Sequence, residues 1–257
     1  MHVAITGATS GLGWEIARLY ANKGCDLLLS GRDGRRLDKI AEICSELGAD
    51  VMVKNIDITD ASAMESWLTQ AHAQRPIDLL IANAGIGGAG VVVSDRGETA
   101  ELARQILETN TTGTINTIAP LIPLMMERGC GHIVIIGSIS ATIGLAQSPV
   151  YCASKAALRI YADAIRRLLK PHGVRVTSVL PGFIDTPMSR SIGISRPWCW
   201  SAEKAAMRIA RDVERGAAHC IFPWQLRYLI GLQNLLPTGV SDLILEAGRG
   251  MGLDRNR

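Results

Sequence analysis

The sequence predicts a three-layer α/β fold: a parallel sheet, mostly of seven strands, doubly wound by helices on both faces and followed by a helical C-terminal extension. Three observations predict it. Short β-rich runs alternate with segments of helical period, the order that produces a parallel sheet. Runs such as Ile133-Val134-Ile135-Ile136 are apolar without alternation, as suits strands covered on both faces. A glycine-rich turn, Thr6-Gly7-Ala8-Thr9-Ser10-Gly11-Leu12-Gly13, joins the first strand to the first helix.

In chain order the predicted strands are 3–6, 26–30, 51–55, 79–82, 132–136, 175–180 and 218–222. Amphipathic helical stretches fall between them, at 12–23, 35–47, 61–73, 100–128 and 150–170. Right-handed crossovers then place helices on both faces of one sheet. No Pro/Gly/Ser linker, repeat or low-complexity segment interrupts the chain, so a single domain over residues 1–257 is expected. From Phe222 to Pro237 the texture changes to helical, apolar and aromatic, with little charge. Three readings of this tail stand open: packing on the domain, a lid over a substrate pocket, or a helix facing a membrane surface or a partner. Its polar face lacks the lysines and arginines usual for a membrane-surface helix.

Composition narrows the function. The 257 residues are 47% hydrophobic, enough for a folded protein with a sizeable core. A net charge of +3 with no basic run interleaved with aromatics argues against nucleic acid. The six cysteines (Cys25, Cys44, Cys130, Cys152, Cys199 and Cys220) form no CxxC pair and have no histidines at zinc-ligand spacing. They are expected to be buried free thiols in a reducing cytoplasm, and no metal site is expected. With a strand predicted almost from the first residue, no signal peptide is expected, and no apolar run is long enough to span a bilayer.

Gly7, Gly11 and Gly13 follow a predicted strand and open a predicted helix, the setting in which a turn can hold a dinucleotide. Glycines allow close approach of a phosphate, and the helix N-terminus offers free N–H groups and a favourable dipole. The spacing differs from GxGxxG. The second strand should end near the adenosine ribose, where the chain reads Ser30-Gly31-Arg32-Asp33-Gly34-Arg35-Arg36. Arginine there favours a 2′-phosphate and an acidic residue favours free hydroxyls. Arg32 lies directly past the strand and Asp33 one step later, so NADP(H) is favoured over NAD(H). Asn83-Ala84-Gly85 follows the fourth strand, at the carboxyl edge where such sheets bind ligands.

Tyr151-Cys152-Ala153-Ser154-Lys155 supplies the chemistry. Four residues apart on a helix, Tyr151 and Lys155 share a face. An ammonium there can favour the phenolate, and a phenol tuned in this way is a general acid for a carbonyl oxygen. Ser138 follows the fifth strand at the same carboxyl edge.

Taken together, these motifs resemble the short-chain dehydrogenase/reductase family, NAD(P)-binding oxidoreductases of the Rossmann fold, from Met1 to about Thr186. The motifs run in order: Thr6-Gly7-x-x-x-Gly11-x-Gly13, Asp57, Asn83-Ala84-Gly85, Asn110, Ser138, Tyr151-x-x-x-Lys155 and Pro181-Gly182. The resemblance implies that Tyr151 exchanges a proton with the substrate oxygen and that Ser138 hydrogen-bonds it. It implies that Lys155 binds the nicotinamide ribose and lowers the tyrosine's pKa, and that Asn110 holds a water of a proton relay. Cofactor contacts are implied for Gly7, Thr9, Ser10, Gly11, Leu12, Gly13, Arg32, Asn83, Ala84 and Gly85. Asp57 and Ile58 would contact the adenine, and Pro181, Gly182, Ile184 and Thr186 the nicotinamide end. The dinucleotide half would cover about 1–130, the catalytic and substrate half about 131–222, and the tail 223–257.

The expected function is hydride transfer between NADP(H) and a ketone/secondary alcohol pair, with a lipophilic substrate. A carbohydrate-type ketone held by Arg190 or Arg196 is one alternative, and a dinucleotide-binding regulator without chemistry is another. Residues 184–200 are expected to cover the substrate with Met188, Ile192, Ile194, Trp198 and Trp200. The tail replaces the glycine-rich end of many family members, and a homodimer through 100–128 and 150–170 is expected.

Overall fold

The computed structural model describes residues 1–87, 98–146, 148–191, 196–233, 235–237, 239–240 and 242–243. Of the residues expected to cover the substrate, Ile192 and Ile194 lie outside them. The first half runs β1 (His2–Thr6), α1 (Gly11–Asn22), β2 (Asp26–Gly31), α2 (Gly34–Glu46), β3 (Val51–Asn55), α3 (Ala61–Gln74) and β4 (Leu79–Ala82). It continues through α4 (Ala100–Leu107), a π turn (Glu108–Gly113), α5 (Thr114–Ile118) and α6 (Leu121–Arg128) to β5 (Gly131–Ile136). The second half holds α7 (Pro149–Leu169), β6 (Val174–Pro181), β7 (Ile184–Asp185), α8 (Pro187–Arg190), β8 (Trp200–Ser201), α9 (Ala202–Glu214), β9 (His219–Phe222) and α10 (Trp224–Gln233).

Seven strands form one sheet in the order β3-β2-β1-β4-β5-β6-β9, with every pair parallel. The chain builds outward from β1 to β3, then returns to the other side of β1 with β4. The β1/β4 boundary is therefore the switch point of the sheet, where a crevice opens beyond the strand ends. Side-chain alternation divides the central strands between two cores. Val3, Ile5, Leu27 and Leu29 face α1, α2 and α9, while Ala4, Leu28, Leu80 and Ile133 face α3, α5, α6 and α7. Both faces are covered, which is why the strands read as unbroken apolar runs.

Capping side chains start several helices at their observed positions. Asp33 accepts from the Arg36 amide, Asp60 from Ala63, Thr99 from Leu102 and Ser201 from Lys204.

The structure departs from expectation in three places. The single helix expected over 100–128 is broken. Thr114 and Thr117 hydroxyls donate to the Asn110 and Gly113 carbonyls across the π turn, and Pro120 starts a new helix. The helix α9 had no counterpart in the sequence reading, although its burial is amphipathic, with Ala206, Ile209 and Val213 inward. The cysteines are all free, but Cys130 and Cys199 are exposed rather than buried, because both sit in connections outside the two cores.

Candidate functional site

The glycine turn is built so that backbone meets backbone. Gly7 and Gly11 have positive φ values of 70° and 56°, a region that disfavours side chains. A Cβ on Gly13 would lie 2.2 Å from the Gly7 carbonyl oxygen, and one on Gly7 would lie 2.8 Å from the Ala84 Cα. Asn83 locks this arrangement: its Nδ2 donates to the carbonyls of Thr6 (3.0 Å) and Gly7 (3.2 Å). Thr6 Oγ1 in turn accepts from the Asn83 and Ala84 amides at 3.2 Å each. The end of β4 and the turn after β1 are thus one unit at the switch point.

Ser10 is the N-cap of α1, yet its exposed side chain makes no capping hydrogen bond. The first N–H groups of α1 are thus left without a capping side chain, an arrangement suited to a phosphate. Thr9 lies over Gly31, where any side chain would collide with its methyl group, 2.5 Å from the Cβ position. Leu12 is buried in the core beneath the turn. These features fit a dinucleotide: a tight glycine cradle, open amide donors and an arginine at the end of β2.

That arginine, Arg32, has a side chain 63% exposed, paired with Asp57 at 3.5 Å. Asp57 Oδ1 also accepts from the Thr59 amide and hydroxyl. Asp33 is committed elsewhere, capping α2 through the Arg36 amide and pairing with the Arg36 guanidinium at 3.2 Å. Ile58 is buried against Gly113, with no room for a Cβ there. A carbonyl contact from Asn116 Nδ2 (3.1 Å) holds its backbone.

The chemistry-bearing side chains meet at the carboxyl ends of β4 and β5. Ser138 stands beside the Tyr151 phenol, and its Oγ accepts from the Ser140 amide at 3.1 Å. Lys155 Nζ is buried, donates to the Ile136 carbonyl at 3.2 Å, and lies 5.8 Å from the centre of the Tyr151 ring. Burial lowers the Lys155 ammonium to about 8. Burial also pushes the Tyr151 phenol above its ordinary value, with the Ser138 hydroxyl pulling the other way. Desolvation is the largest cause of the upward shift, and the Lys155 ammonium is not among its causes.

Asn110 is fully buried in the π turn. Its Oδ1 accepts from the Ile86 amide (2.7 Å), and its Nδ2 donates to the Ile86 carbonyl (2.8 Å) and to Ser154 Oγ (3.1 Å). It pins the chain after β4 to α7. Gly85 leaves a gap here: Asn110 Oδ1 and Lys155 Nζ lie 3.0 Å and 3.5 Å from the point its Cβ would occupy.

Residues 181–186 close the other side. Pro181 ends β6 beside Phe222 of β9, and Gly182 donates to the Phe222 carbonyl at 2.7 Å. Ile184 is buried in β7. Thr186 caps α8 in a reciprocal box with Ser189, and its methyl lies against Gly11, 3.0 Å from the Cβ position there. The sequence reading left Arg190 and Arg196 free to meet a substrate anion. Both are held by Asp185 instead: Arg190 through Nε and Nη2 at 2.9 and 2.8 Å, Arg196 at 2.9 Å. Trp200 stacks on Phe222 at 4.9 Å, with Lys204 Nζ 4.3 Å from its ring centre. Met188 and Trp198 are exposed. The α10 helix packs Leu226 against Gly182 and leaves Trp224, Tyr228, Leu229 and Leu232 in solvent. Unforeseen in the sequence are Ser154, the partner of Asn110, and Glu98, whose carboxylate meets the start of α7. Ser154 lies inside the Tyr151–Lys155 segment at a position its spacing leaves open, and Glu98 belongs to no motif.

Fold and site together define a doubly wound dinucleotide-binding protein with a Ser–Tyr–Lys cluster at its switch point. The sequence pattern described as short chain dehydrogenase matches residues 1–196. An uncharacterized oxidoreductase of Myxococcus xanthus is 32% identical over 239 residues, covering 93% of each chain. A short-chain dehydrogenase from Sphingobium yanoikuyae, solved in complex with NADPH, superposes with a TM-score of 0.77 at 29% identity, covering 97% of this chain and 94% of that one. A short chain dehydrogenase from Mycobacterium paratuberculosis bound to NAD shares the fold, with a TM-score of 0.74 at 23% identity over 86% of this chain and 95% of that one. The chain belongs to the short-chain dehydrogenase/reductase family. It is an NAD(P)-dependent dehydrogenase or reductase.

Proposed function

We propose that this enzyme interconverts a lipophilic ketone and its secondary alcohol with NADP(H), using Tyr151 as general acid and base. The observation that carries the reading is the gathering of Ser138, Tyr151 and the buried Lys155, whose Nζ lies 5.8 Å from the Tyr151 ring centre, against the glycine cradle. The nicotinamide, when bound, supplies or accepts the hydride. The chain's own residues manage the charge that hydride transfer creates on oxygen. In reduction the Tyr151 Oη–H gives its proton to the carbonyl oxygen, and the Ser138 hydroxyl donates a second hydrogen bond to the same atom. A phenol raised by burial is protonated at neutral pH, the form that reduction requires. Lys155 holds the nicotinamide ribose, and its cationic form favours the phenolate once the proton has left. The point between Asn110 Oδ1 and Lys155 Nζ above Gly85 suits a relay water that returns the proton.

Arg32 supports NADP(H), since it is exposed at the end of β2 while the competing carboxylate of Asp33 is engaged with α2. Exposed Met188 and Trp198, with the apolar flank of α10, favour a lipophilic substrate over a carbohydrate-type ketone, whose anchoring arginines are taken by Asp185. A binder without chemistry has no use for a proton donor at this place. We read residues 1–257 as one such domain. A homodimer through α4–α6 and α7 is in keeping with exposed Ile160 and Leu168 on α7. Among the described residues no helix is long and apolar enough to cross a membrane, and we place the enzyme in the cytoplasm. The tail's exposed aromatics leave peripheral membrane contact as a weaker reading.

Tyr151→Phe tests the mechanism. NADPH consumption with long-chain keto-lipids, steroids, small ketones and sugar ketones should vanish in the variant, while NADPH affinity stays within about twofold. Turnover that survives the substitution refutes the assignment.

A further inference from the structure

Tyr151 is the third residue of α7, so whatever organises the start of that helix sets where its phenol stands. The helix cannot cap itself. Ser148 at its N-cap makes no side-chain capping bond, and Pro149 in the first position has no N–H to donate. The first free amides are those of Val150 and Tyr151. Both are taken by one carboxylate from more than fifty residues earlier: Val150 N donates to Glu98 Oε2 at 2.8 Å, and Tyr151 N to Glu98 Oε1 at 3.2 Å.

Glu98 is itself anchored. The next residue, Thr99, caps α4 by accepting from the Leu102 amide at 3.3 Å. The α4 helix runs straight into the π turn that carries Asn110, and Asn110 donates to Ser154 on α7 at 3.1 Å. Two tethers therefore join the α4 segment to α7, one on either side of the turn from Tyr151 to Ser154.

We propose that Glu98 is the positioning residue for Tyr151: its carboxylate supplies the missing cap of α7 and holds the phenol in register with Ser138. The proposal rests on Tyr151 being the proton donor. Glu98 acts through the Tyr151 backbone, and it brings a negative charge to a helix end that otherwise favours anions. Cys152 on its own helix and the Ser138 hydroxyl from the segment after β5 bear on the phenol, Lys155 lies 5.8 Å from its ring centre, and Glu98 from the start of α4 meets the Tyr151 amide. Removing the Glu98 charge should make the phenolate easier to form.

The experiment compares the wild type with Glu98→Ala, Glu98→Gln and Tyr151→Phe. NADPH-driven turnover of a responsive ketone is followed from about pH 6 to about pH 10, together with NADPH affinity by fluorescence. The tyrosinate absorbance of each protein is titrated in parallel, with Tyr151→Phe subtracted to isolate Tyr151. Glu98→Ala should lower kcat by about tenfold or more while NADPH affinity stays within about twofold, since a misplaced donor costs turnover rather than cofactor binding. Glu98→Gln keeps the shape and one acceptor; it should recover most of kcat and shift the Tyr151 titration to lower pH. An unmoved titration in Glu98→Gln overturns the proposal, even if Glu98→Ala fails to fold. So does a Glu98→Ala enzyme with wild-type kcat, or one whose loss is matched by equal loss of NADPH binding. Turnover that persists in Tyr151→Phe is a different outcome: it refutes the general-acid role, while the absorbance titration still decides whether Glu98 governs the phenol.

Discussion

Gly13→Ala is the sharpest perturbation of the cradle. The added methyl would lie 2.2 Å from the Gly7 carbonyl oxygen, 2.5 Å from Asn83 Nδ2 and 2.9 Å from the Gly7 carbonyl carbon. Carbon and oxygen in van der Waals contact need more than 3 Å or so, so the first turn of α1 must back away by about 1 Å. The nearest obstacle is backbone, and Asn83 Nδ2 is fixed by two carbonyls, so no side chain can swing aside. Overpacking of this kind costs about 1–3 kcal/mol, which for a chain of this size lowers Tm by about 2–10 °C. The effect on the cofactor is separate. A shift of that size pulls the α1 amides away from the phosphates they would bind, and one charge-assisted hydrogen bond is worth about 1.5–3 kcal/mol, or roughly tenfold to a hundredfold in Kd. NADPH titration by fluorescence, with a thermal melt of the cofactor-free protein, reads both quantities. Gly231→Ala serves as the control, because nothing lies within 4 Å of its Cβ position and alanine favours the helix. A Gly13→Ala protein that melts early but binds NADPH with unchanged Kd would refute the reasoning: the turn would then pack the domain without holding the dinucleotide.

Other residues give equally direct tests. Arg32→Ala should raise the Kd of NADPH by about tenfold, the lower end for a charge-assisted contact because the side chain is largely exposed, and leave NADH within about twofold; equal losses for both cofactors would remove the 2′-phosphate assignment. His132 gives a pH test of the fold. Its ring is buried, bonds Thr177 Oγ1 at 2.8 Å, and is held down to about 4 by burial and then by Arg175. Thr177 Oγ1 donates to the Ala217 carbonyl, so the His132 Nε2–H is the donor to Thr177 and the neutral ring is the one the fold wants. The unfolded chain takes up this proton near pH 6.5 and the folded one only near pH 4. Stability therefore falls as pH drops through that window, by about 2 kcal/mol at pH 5 and about 3 kcal/mol in full. Urea midpoints at pH 7 and pH 5 should show this loss in the wild type and lose that portion of it in His132→Gln; an unchanged slope in the variant would exclude His132 as its source.

The parts of the site that could be read from the sequence are those carried by short-range patterns. Gly7, Gly11 and Gly13 announce a tight turn because glycine alone tolerates the geometry, and the strand before them and helix after them are visible from hydrophobic period. Tyr151 and Lys155 share a helix face at a spacing of four. The long helix over 100–128 was misread because a periodic pattern continues straight through a π turn. That turn is stabilised by threonine hydroxyls, and its one glycine, Gly113, does not by itself mark a break within a helical pattern. Arg190 and Arg196 illustrate the opposite failure. Their charge was plain, but their engagement by Asp185 depends on where the fold sets Arg190 and Arg196 relative to β7.

Sequence by itself determined the sheet, its parallel sense, the phosphate-suited turn and the identity of the Ser138, Tyr151 and Lys155 groups, because each is written in local period or residue type. Tertiary structure alone decided what those groups feel. Burial sets Tyr151 above and Lys155 below their ordinary values, and burial is a property of everything packed around a group. The cap of α7 comes from Glu98 and the anchor of Asn110 from Ile86 and Ser154, partners between 24 and 53 residues away. A carboxylate has no local preference for a helix so distant in the chain; only the folded sheet brings the two together.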